Sequence, residues 1–484
     1  MHNELRQDLQ KMTLSNSKRP KLLIDFIIVG GGIGGLAMAY ALAKSGHGVK
    51  VFEKSNGSPT QSGGLRVPPN LTKILLEWGL HEELRVAPKC RKSNFHTFET
   101  GEIVGHLEWQ EDIIREAGAD FLLMHHYDLH QALYRLAISV GASVTFETSI
   151  QDVDFNQNAR KPCVVLEDGT TVEADVVIGA DGHRSIVRNF VAPEVDEGSD
   201  TNHSFYTVIV PASAMETDPD LREYAGLPEW PIWMGDSRGA LGYPIRNGTE
   251  YNLHVYWPDN EVNSPTIVEE SWDLEIPTNA IDFEGYDPRI KKLFNLVPTA
   301  HRARFVRREV VDDWLDESGR VLLVGDAAHP LLPCSTQSAS LAVEDAAVLG
   351  GLMSRLSTSE QIPQFLEAFC DIRHERCKLV QSSELRNAML VTLPPGEDRD
   401  LRNEGMKLSL KTVGDSWDDS MLREQWDEIG EVFGYNAIEA AEDWWIKWGA
   451  LGNAGAQHYV HEAMQDFGVR ITTKTAVTEP ISSY

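Results

Sequence analysis

The stretch Phe26-Ile27-Ile28-Val29-Gly30-Gly31-Gly32-Ile33-Gly34-Gly35 decides how this chain begins to fold. A short apolar run is followed at once by glycines at positions 30, 32 and 35, and then by a segment rich in alanine and leucine. A second, mostly apolar run follows at residues 49–52, and Glu53 comes directly after it. This order predicts a strand at 26–29, a helix at 33–45 and a strand at 49–53, which together form a βαβ unit.

The spacing Gly30-x-Gly32-x-x-Gly35 suits the binding of a dinucleotide. Glycines keep the turn tight and let backbone N–H groups approach a pyrophosphate at the positive end of the next helix. Glu53 comes 53 − 30 = 23 residues after Gly30, where its carboxylate can accept hydrogen bonds from a ribose diol. The glycines alone also fit a plain turn, but strand, helix and acid together indicate nucleotide binding. They do not separate FAD from NAD.

The composition is that of a globular protein with an acidic surface. Of 484 residues, 42% are hydrophobic and 24% charged, and 44 basic against 73 acidic residues give a net charge of −29. Such a surface repels nucleic acid and anionic lipid, so neither is predicted as a partner, and no stable membrane insertion is expected. The five cysteines show no metal-site or disulfide spacing. They favour a cytoplasmic protein without a bound metal.

Apolar patterning predicts the remaining elements. Residues 142–181 are rich in strands, with a hairpin turn at Asp168-Gly169. Alternating segments at about 94–109 and 204–308 indicate an antiparallel sheet. A buried strand at 321–324 precedes a helix near 341–354, and a mostly helical region follows, broken at Pro394-Pro395-Gly396.

Two later strands also end in an acidic residue beside a glycine. They are Val177-Ile178-Gly179-Ala180-Asp181-Gly182 and Val321-Leu322-Leu323-Val324-Gly325-Asp326. With the opening βαβ unit, these motifs resemble the three fingerprints of the class A flavoprotein monooxygenases, the para-hydroxybenzoate and salicylate hydroxylase family. The resemblance spans most of residues 27–386 and is strongest to fungal members of specialised metabolism.

The resemblance implies an α/β fold: a Rossmann-like FAD-binding domain with an inserted antiparallel β-sheet substrate domain and a C-terminal helical region. The boundaries predicted from it are 1–21 for a mobile N-terminal tail; 22–93, 120–198 and 318–380 for the FAD-binding domain; 94–119 and 199–317 for the substrate domain; and 381–484 for the C-terminal helical region and tail.

FAD is the implied cofactor, with NADPH or NADH as reductant. By resemblance, Asp326 binds the ribitol hydroxyls, Asp181 and Gly182 serve FAD and NAD(P)H, and Asn70 caps the helix after the flavin-side loop 63–70. The residues assigned to the cofactor are Gly30, Gly32, Gly35, Glu53, Gly63, Asp181, Gly182, Gly325, Asp326, Pro333 and Ala339.

Two positions depart from the family pattern. His126 stands where the family has an arginine two residues before the Asp-Leu of its second helix, and Thr336-Gln337-Ser338 replaces its Gly-Gln-Gly turn. The first change concerns a contact to the flavin phosphate, and the second concerns the mobility of the flavin. Neither argues against the cofactor.

The substrate contacts are expected on the inserted sheet. Tyr243 resembles a tyrosine that holds or deprotonates the phenol in related enzymes, and it is the predicted catalytic contact. Arg246 is the candidate partner for an anionic group, and Tyr206 is a candidate pocket wall. From the residues alone, a packed tyrosine and a solvated arginine explain the same pattern. Thr207 replaces an arginine that some relatives use.

The family implies hydroxylation of a phenolic or aromatic-acid substrate by O2 through a flavin C4a-hydroperoxide, in a monomer or homodimer. Oxidative decarboxylation of a hydroxybenzoate, with or without a prenyl group, is the most specific candidate reaction. Epoxidation of an alkene or indole is an alternative, whereas halogenation fits less well. A non-enzymatic alternative is a degenerate flavin-binding protein.

Overall fold

The computed structural model describes residues 20–57, 63–109, 111–194, 198–262, 274–333, 335–407, 410 and 430–449. Residues 1–19 of the predicted N-terminal tail lie outside the described residues, as does the end of the predicted C-terminal region from residue 450.

The described strands follow one another from the first motif to the third. In chain order they are β1 (Asp25–Val29), β2 (Gly48–Phe52), β3 (Gly64–Val67), β4 (Lys92–Thr97), β5 (Ile103–Glu108), β6 (Leu122–His125), β7 (Ser143–Thr145), β8 (Ile150–Asn156), β9 (Lys161–Leu166), β10 (Thr171–Glu173), β11 (Val176–Gly179), β12 (Ser199–Pro211), β13 (Glu229–Gly235), β14 (Arg238–Ile245), β15 (Glu250–Pro258), β16 (Leu274–Pro277), β17 (Thr299–Arg307) and β18 (Val321–Leu323).

The described α-helices lie between the strands and dominate the last third of the chain. They are α1 (Ile33–Lys44), α2 (Pro69–Glu77), α3 (His81–Arg85), α4 (Glu111–Ala117), α5 (His126–Ser139), α6 (Ile186–Val191), α7 (Ala212–Met215), α8 (Arg222–Gly226), α9 (Pro288–Phe294), α10 (Ser338–Met353), α11 (Gln361–Val391), α12 (Glu397–Lys407) and α13 (Ala437–Trp444). A π-helical turn, Trp445–Gly449, follows α13.

A parallel sheet with the strand order β18-β11-β1-β2-β7 forms the first layer. Its central strands are apolar and buried on both faces, as expected when helices cover a parallel sheet on each side. The helices α1 and α10 pack together so closely that a Cβ on Gly350 would lie 2.7 Å from the Cβ of Ala41. Since the strands are parallel, the residues that follow β1, β2, β11 and β18 all meet at one sheet edge.

The inserted sheet has the order β16-β17-β12-β15-β14-β13-β4-β5. Its pairs are antiparallel except β13 with β4, which run parallel and come from separate segments of the chain. Along β12 the side chains alternate between the faces: Tyr206, Val208 and Val210 enter a buried apolar core, whereas Phe205 and Thr207 face the parallel-sheet unit.

Buried ion pairs join α10 to α11. The Arg373 guanidinium lies 2.7 Å from the Glu344 carboxylate and 2.8 Å from that of Asp345, and all three side chains are fully buried. Arg376 adds a contact of 3.2 Å to Glu344. Breaking a buried pair from one side leaves an uncompensated charge, so this cluster holds the two helices in register.

The predicted fold class is confirmed, and the main elements agree with the sequence. The hairpin at Asp168-Gly169 joins β9 to β10, and α11 and α12 lie on either side of Pro394-Pro395-Gly396. The predicted cap at Asn70 is wrong: α2 begins at Pro69 after Pro68, and Asn70 is buried inside the helix. The domain boundaries stay a prediction. Among the described residues, every helix is too short or too polar to cross a bilayer.

Candidate active site

A cavity of about 950 Å³ lies between the carboxyl edge of the parallel sheet and the inserted sheet. It is at the large end of the range for ligand pockets. Glu53 and Asp326, which follow the second and last strands of the parallel sheet, both line it. The predicted cofactor residues in its wall are Gly30, Gly32, Glu53, Gly63, Asp181, Gly182, Gly325, Asp326, Pro333 and Ala339.

The glycine turn after β1 forms one end of the cavity. Gly30 has a φ of 101°, and a Cβ there would lie 2.4 Å from the Ala180 carbonyl oxygen, so only glycine fits. A Cβ on Gly32 would meet nothing within 4 Å. The first turn of α1 has no side-chain cap and no acidic residue, so its N–H groups are available to an anion.

Glu53 and His130 fix this turn from two sides. The Gly31 N–H donates to the Glu53 carboxylate over 2.6 Å, and the Ser55 N–H donates to its other oxygen over 2.8 Å. His130 Nε2 lies 2.9 Å from the Gly31 carbonyl oxygen. The turn is therefore held by contacts within the protein itself, which lowers the entropy cost of binding a ligand.

Arg188 joins the second and third motifs. Its guanidinium donates to the carbonyl oxygens of His183, Asp326 and Ala327 over 3.1, 2.9 and 2.7 Å. Asp181 in turn accepts from the Ser185 hydroxyl and the Ile186 N–H at the start of α6. Burial raises the pKa of Asp181, and the Ser185 bond opposes that rise. Arg188 thus holds the Asp326 loop beside the Asp181-Gly182 turn.

A second helix start faces the same cavity. The first turn of α10 has no side-chain cap, and Ser338 and Ala339 line the cavity there. The Ser338 hydroxyl donates to Asp326 over 3.1 Å. Burial raises the pKa of the Asp326 carboxyl, with His329 and this hydroxyl acting against that rise.

Asn70 supports the start of α10 from behind. Its side-chain amide donates to Gln337 over 2.9 Å and to Glu344 over 2.8 Å. His329 Nε2 lies 2.7 Å from the Asp345 carboxylate and thereby ties the loop after β18 to α10. The Thr336-Gln337-Ser338 turn is therefore tied to the buried Asn70 through the side chain of Gln337.

The opposite wall carries a hydrogen-bonded chain of three side chains from the inserted sheet. The Tyr243 hydroxyl lies 3.2 Å from His254 Nε2, and the Thr207 hydroxyl lies 2.8 Å from His254 Nδ1. Burial and the charge of Arg66 lower the pKa of His254 to about 3, so its imidazole is neutral. Arg66 lies 6.0 Å from the centre of the Tyr243 ring. This wall can exchange protons with a hydroxyl group and stabilise an anion beside it.

Comparison with known proteins agrees with this geometry. Residues 24–383 match the family described as FAD binding domain. The FAD-dependent monooxygenase cfoG of Aspergillus candidus is 30% identical over 429 residues, covering 86% of this chain and 94% of the relative. This chain belongs to the FAD-dependent monooxygenases.

A second relative supports the same assignment, and a solved structure shares the fold. The 3-hydroxybenzoate 6-hydroxylase of Klebsiella oxytoca is 31% identical to this monooxygenase over 333 residues, covering 68% of this chain and 79% of the relative. A solved salicylate hydroxylase substrate complex, at 22% identity, shares the fold with a TM-score of 0.66 and covers 87% of this chain and 99% of its own. The family resemblance inferred from the three motifs is confirmed.

The cavity of this monooxygenase fits FAD. The uncapped start of α1 and the open space at Gly32 suit the diphosphate, and Glu53 lies where a ribose diol would be accepted. Asp326 and the start of α10 lie beyond it and suit the ribitol chain and an electron-rich ring edge. These assignments follow from the donors and acceptors present and stay predictions for each residue.

Three predicted residues lie elsewhere in this monooxygenase. Gly35 does not line the cavity; a Cβ there would lie 1.9 Å from the Gly30 carbonyl oxygen, so its role is close packing of α1 on the turn. Tyr206 faces the apolar core because neighbouring residues on a strand point to opposite faces. Arg246 is bound by Asp128 and Glu250, which raise its pKa, and it lies outside the cavity lining.

His126 does line the cavity. Burial, with His130 and His125 nearby, lowers its pKa to about 3, so it does not replace the charge of the family arginine. Residues that the motif analysis missed include His254, Arg66, His130 and Arg188. Arg66 lies within the predicted flavin-side loop 63–70, whereas His254 could be found only from its pairing with Thr207 across β15 and β12.

Proposed function

We propose that this enzyme uses NADH or NADPH and O2 to hydroxylate a phenol or aromatic acid. The observation that carries the proposal is the pairing of two walls in one cavity: Glu53 and Asp326 on one side, and the Tyr243–His254–Thr207 chain on the other. Bound FAD would supply reduction by the nicotinamide and activation of O2. The relatives named hydroxylases support the same reaction class.

The side chains near Tyr243 have the properties that phenol activation needs. Removing the phenolic proton raises electron density on the ring and prepares a ring carbon for oxygen transfer. Tyr243 is a buried residue, 1% exposed, and its hydroxyl can form a hydrogen bond with the substrate hydroxyl. The Arg66 guanidinium, which is 4% exposed, favours the resulting phenolate because a nearby cation stabilises an anion in a low-dielectric site.

The rest of the wall excludes water and admits an aromatic ring. Phe205, Ala303 and Val306 from β12 and β17 line the cavity beside Thr207. Excluding water would protect the activated oxygen from decay before it is transferred to the substrate. A carboxyl group on the carbon that receives oxygen would leave as CO2, which is the basis for proposing hydroxybenzoates, with or without a prenyl group, as substrates.

The test is oxidation of NADH and of NADPH by the FAD-loaded enzyme in the presence of isotopically labelled O2. The panel contains phenols, hydroxybenzoates, prenylated hydroxybenzoates, indoles and alkenes, and products are identified by mass spectrometry. We expect faster NAD(P)H oxidation with a phenolic compound and one labelled oxygen in its product. Labelled epoxides from alkenes or indoles alone would replace the proposal by epoxidation, and no product from any compound would favour a binding protein.

Two further parts of the proposal concern the setting of the enzyme. The described cysteines Cys90, Cys163, Cys370 and Cys377 are free thiols, which supports a reducing compartment such as the cytoplasm. We also propose that the enzyme is a monomer or a homodimer. Analytical ultracentrifugation at the concentration used for the assays would distinguish these two oligomeric states.

A further inference from the structure

The turn between β14 and β15 reaches across to the nucleotide side of the molecule. Tyr243 lies on β14, and Arg246 follows that strand in the turn. The Arg246 guanidinium donates through Nε and one Nη atom to the two carboxylate oxygens of Asp128, each over 2.9 Å. Asp128 lies in the first turn of α5, the helix whose His130 contacts the Gly31 carbonyl oxygen. A two-point ion pair fixes orientation as well as distance, so the hairpin turn is held in place on α5.

A second contact joins the same hairpin to the predicted flavin-side loop. The Gly64 N–H donates over 2.7 Å to Oδ1 of Asn252 on β15, and Asn252 pairs directly with Tyr243. A Cβ on Gly64 would lie 2.5 Å from the Tyr243 ring, so the loop backbone lies against that ring. The loop is also tied to α5, because the His126 N–H donates to the Gly63 carbonyl oxygen over 2.9 Å. The hairpin, the loop and α5 therefore form a closed set of contacts.

The backbone of the hairpin turn shows that the Arg246 side chain matters there. Arg246 has a φ of 49° and Asn247 a φ of 56°, in the left-handed region that residues other than glycine seldom adopt. The Thr249 hydroxyl donates to the Arg246 carbonyl oxygen over 2.8 Å, and Glu250 adds an ion pair at 3.1 Å. Strain of this kind persists only where surrounding contacts hold it, and it clusters at functional sites. Glycine would adopt this φ without strain, so an arginine here is explained by its ion pairs.

Asn252 is retained in the sheet in spite of an unsatisfied donor. The residue is fully buried, and its Nδ2 has no hydrogen-bond partner within the described chain. A buried donor without a partner costs stability, and an apolar side chain of similar size would avoid that cost. The bond from the Gly64 N–H is the contact that an apolar residue could not make. Asn252 is therefore explained by its hold on the loop.

We propose that Arg246, Asp128 and Asn252 form a hairpin clamp, which sets the position of the Tyr243 wall relative to the flavin-side loop during oxygen transfer. All three lie outside the cavity lining, so they are positioning residues that act through Tyr243 and Gly64. The inference rests on the proposed function, because it needs a phenol bound beside Tyr243.

The clamp acts on what becomes of the electrons from NAD(P)H. Hydroxylation of a phenol ring, written Ar–H, follows Ar–H + O2 + NAD(P)H + H⁺ → Ar–OH + H2O + NAD(P)⁺, in which a C–O bond forms and the O–O and C–H bonds break. When the ring carbon is misplaced, the same electrons reduce O2 by NAD(P)H + H⁺ + O2 → NAD(P)⁺ + H2O2. A misplacement of about 1 Å can cost about a hundredfold in rate. Loosening the clamp should therefore divert NAD(P)H from product to H2O2.

The experiment measures product and H2O2 formed per NAD(P)H oxidised by the FAD-loaded enzyme. Its substrate is the phenolic compound of the panel above that the wild type hydroxylates fastest. Arg246→Gly removes the ion pairs while relieving the strained φ, and Asp128→Asn removes the charge at nearly constant shape. Arg135→Gln is the matched control, since Arg135 lies on α5 but pairs with Glu83, away from the hairpin.

Two further variants and two further measurements separate positioning from a loss of stability. The double variant of Arg246→Gly with Asp128→Asn tests whether the two residues act as a unit, and Asn252→Leu removes the acceptor for the loop. Unfolding temperature and the dissociation constants of FAD and of the phenol are measured for each variant. The Arg246 and Asp128 side chains are 35% and 38% exposed, and a pair this exposed adds little to stability. Their substitution should leave the unfolding temperature near that of the control.

We expect the product formed per NAD(P)H to fall at least about tenfold in Arg246→Gly and Asp128→Asn, with H2O2 rising to match. The double variant should be no worse than Arg246→Gly alone, because residues that act as a unit are not additive. FAD affinity should stay within about twofold of the wild type, and the control should keep the wild-type product ratio. Asn252→Leu should follow the clamp variants, and the outer pair decides the inference should that buried substitution not fold.

Wild-type product ratios in Arg246→Gly and Asp128→Asn would overturn the clamp while leaving hydroxylation intact. An equal fall in the Arg135→Gln control would also overturn it, because the effect would then belong to α5 in general. Failure of the wild type to hydroxylate any phenol would instead overturn the proposed function together with this inference.

Discussion

Replacing Asp326 with alanine should weaken FAD binding by about ten- to a hundredfold. Asp326 follows β18 at the cavity wall, and within the described part of the chain the Ser338 hydroxyl is hydrogen-bonded to one of its two carboxylate oxygens. The second oxygen remains for a ribitol hydroxyl. A hydrogen bond to a charged group contributes about 1.5–3 kcal/mol, and each 1.4 kcal/mol changes a dissociation constant about tenfold. Loss of this single acceptor therefore gives the stated range.

The assay is titration of deflavinated protein with FAD, followed by the change in flavin fluorescence. Asp326→Asn, which keeps an acceptor but loses the charge, should fall between the wild type and Asp326→Ala. Asp312→Ala is the control, because the Asp312 side chain is 87% exposed and forms a surface ion pair with Lys378 at 3.4 Å. A dissociation constant for Asp326→Ala within about twofold of the wild type would refute the proposed place of the ribitol chain.

Three further outcomes follow from the described contacts. Arg373→Ala removes the cation shared by two fully buried carboxylates, so that Glu344 keeps Arg376 and Asp345 keeps His329. This loss should cost about 3–5 kcal/mol, whereas Arg85→Ala breaks an exposed pair worth at most about 1 kcal/mol; equal denaturant midpoints would contradict this. Gly64→Ala places a Cβ 2.5 Å from the Tyr243 ring, so KM for the aromatic substrate should rise while FAD content stays near one per chain, and an unchanged KM would count against a substrate beside that ring. Because burial raises the pKa of Asp326 and hydroxyl donors favour its carboxylate, FAD affinity should fall as pH drops towards that raised pKa; titrations across pH should show no such fall in Asp326→Asn.

The parts of the fold that sequence could predict are those set by local chemistry. The apolar run before Gly30, the hairpin turn at Asp168-Gly169 and the break at 394–396 each act within a few residues, and the structure has elements beginning or ending there. The parallel pairing of β4 with β13 joins segments separated by more than a hundred residues. No local pattern encodes that pairing, because either direction buries the same side chains.

The site divides in the same way. The nucleotide side depends on glycines and terminal acids, which allow close backbone approach and supply charge, and apart from Gly35 the ones that the motifs single out line the cavity. The identity of the substrate-side residues depends on the register in which the strands of the inserted sheet pair. A one-residue shift exchanges the two faces of a strand, so Tyr206 and Thr207 could be assigned to core and cavity only when the pairing of β12 was known. Arg246 was misplaced because its partner Asp128 is distant in sequence.

The charge of the cavity resolves an apparent conflict in the sequence. A chain with a net charge of −29 should repel an anionic aromatic acid, yet the cavity wall includes Arg66, Arg184, Arg304 and Arg308. At physiological ionic strength the Debye length is about 8 Å, so exposed carboxylates beyond that distance affect a ligand in the cavity only weakly. Buried or partly buried charges are screened much less. The arginines in the wall offset the carboxylates of Glu53, Glu167, Asp181 and Asp326 that share it, so the acidic surface is compatible with an aromatic anion bound beside Arg66.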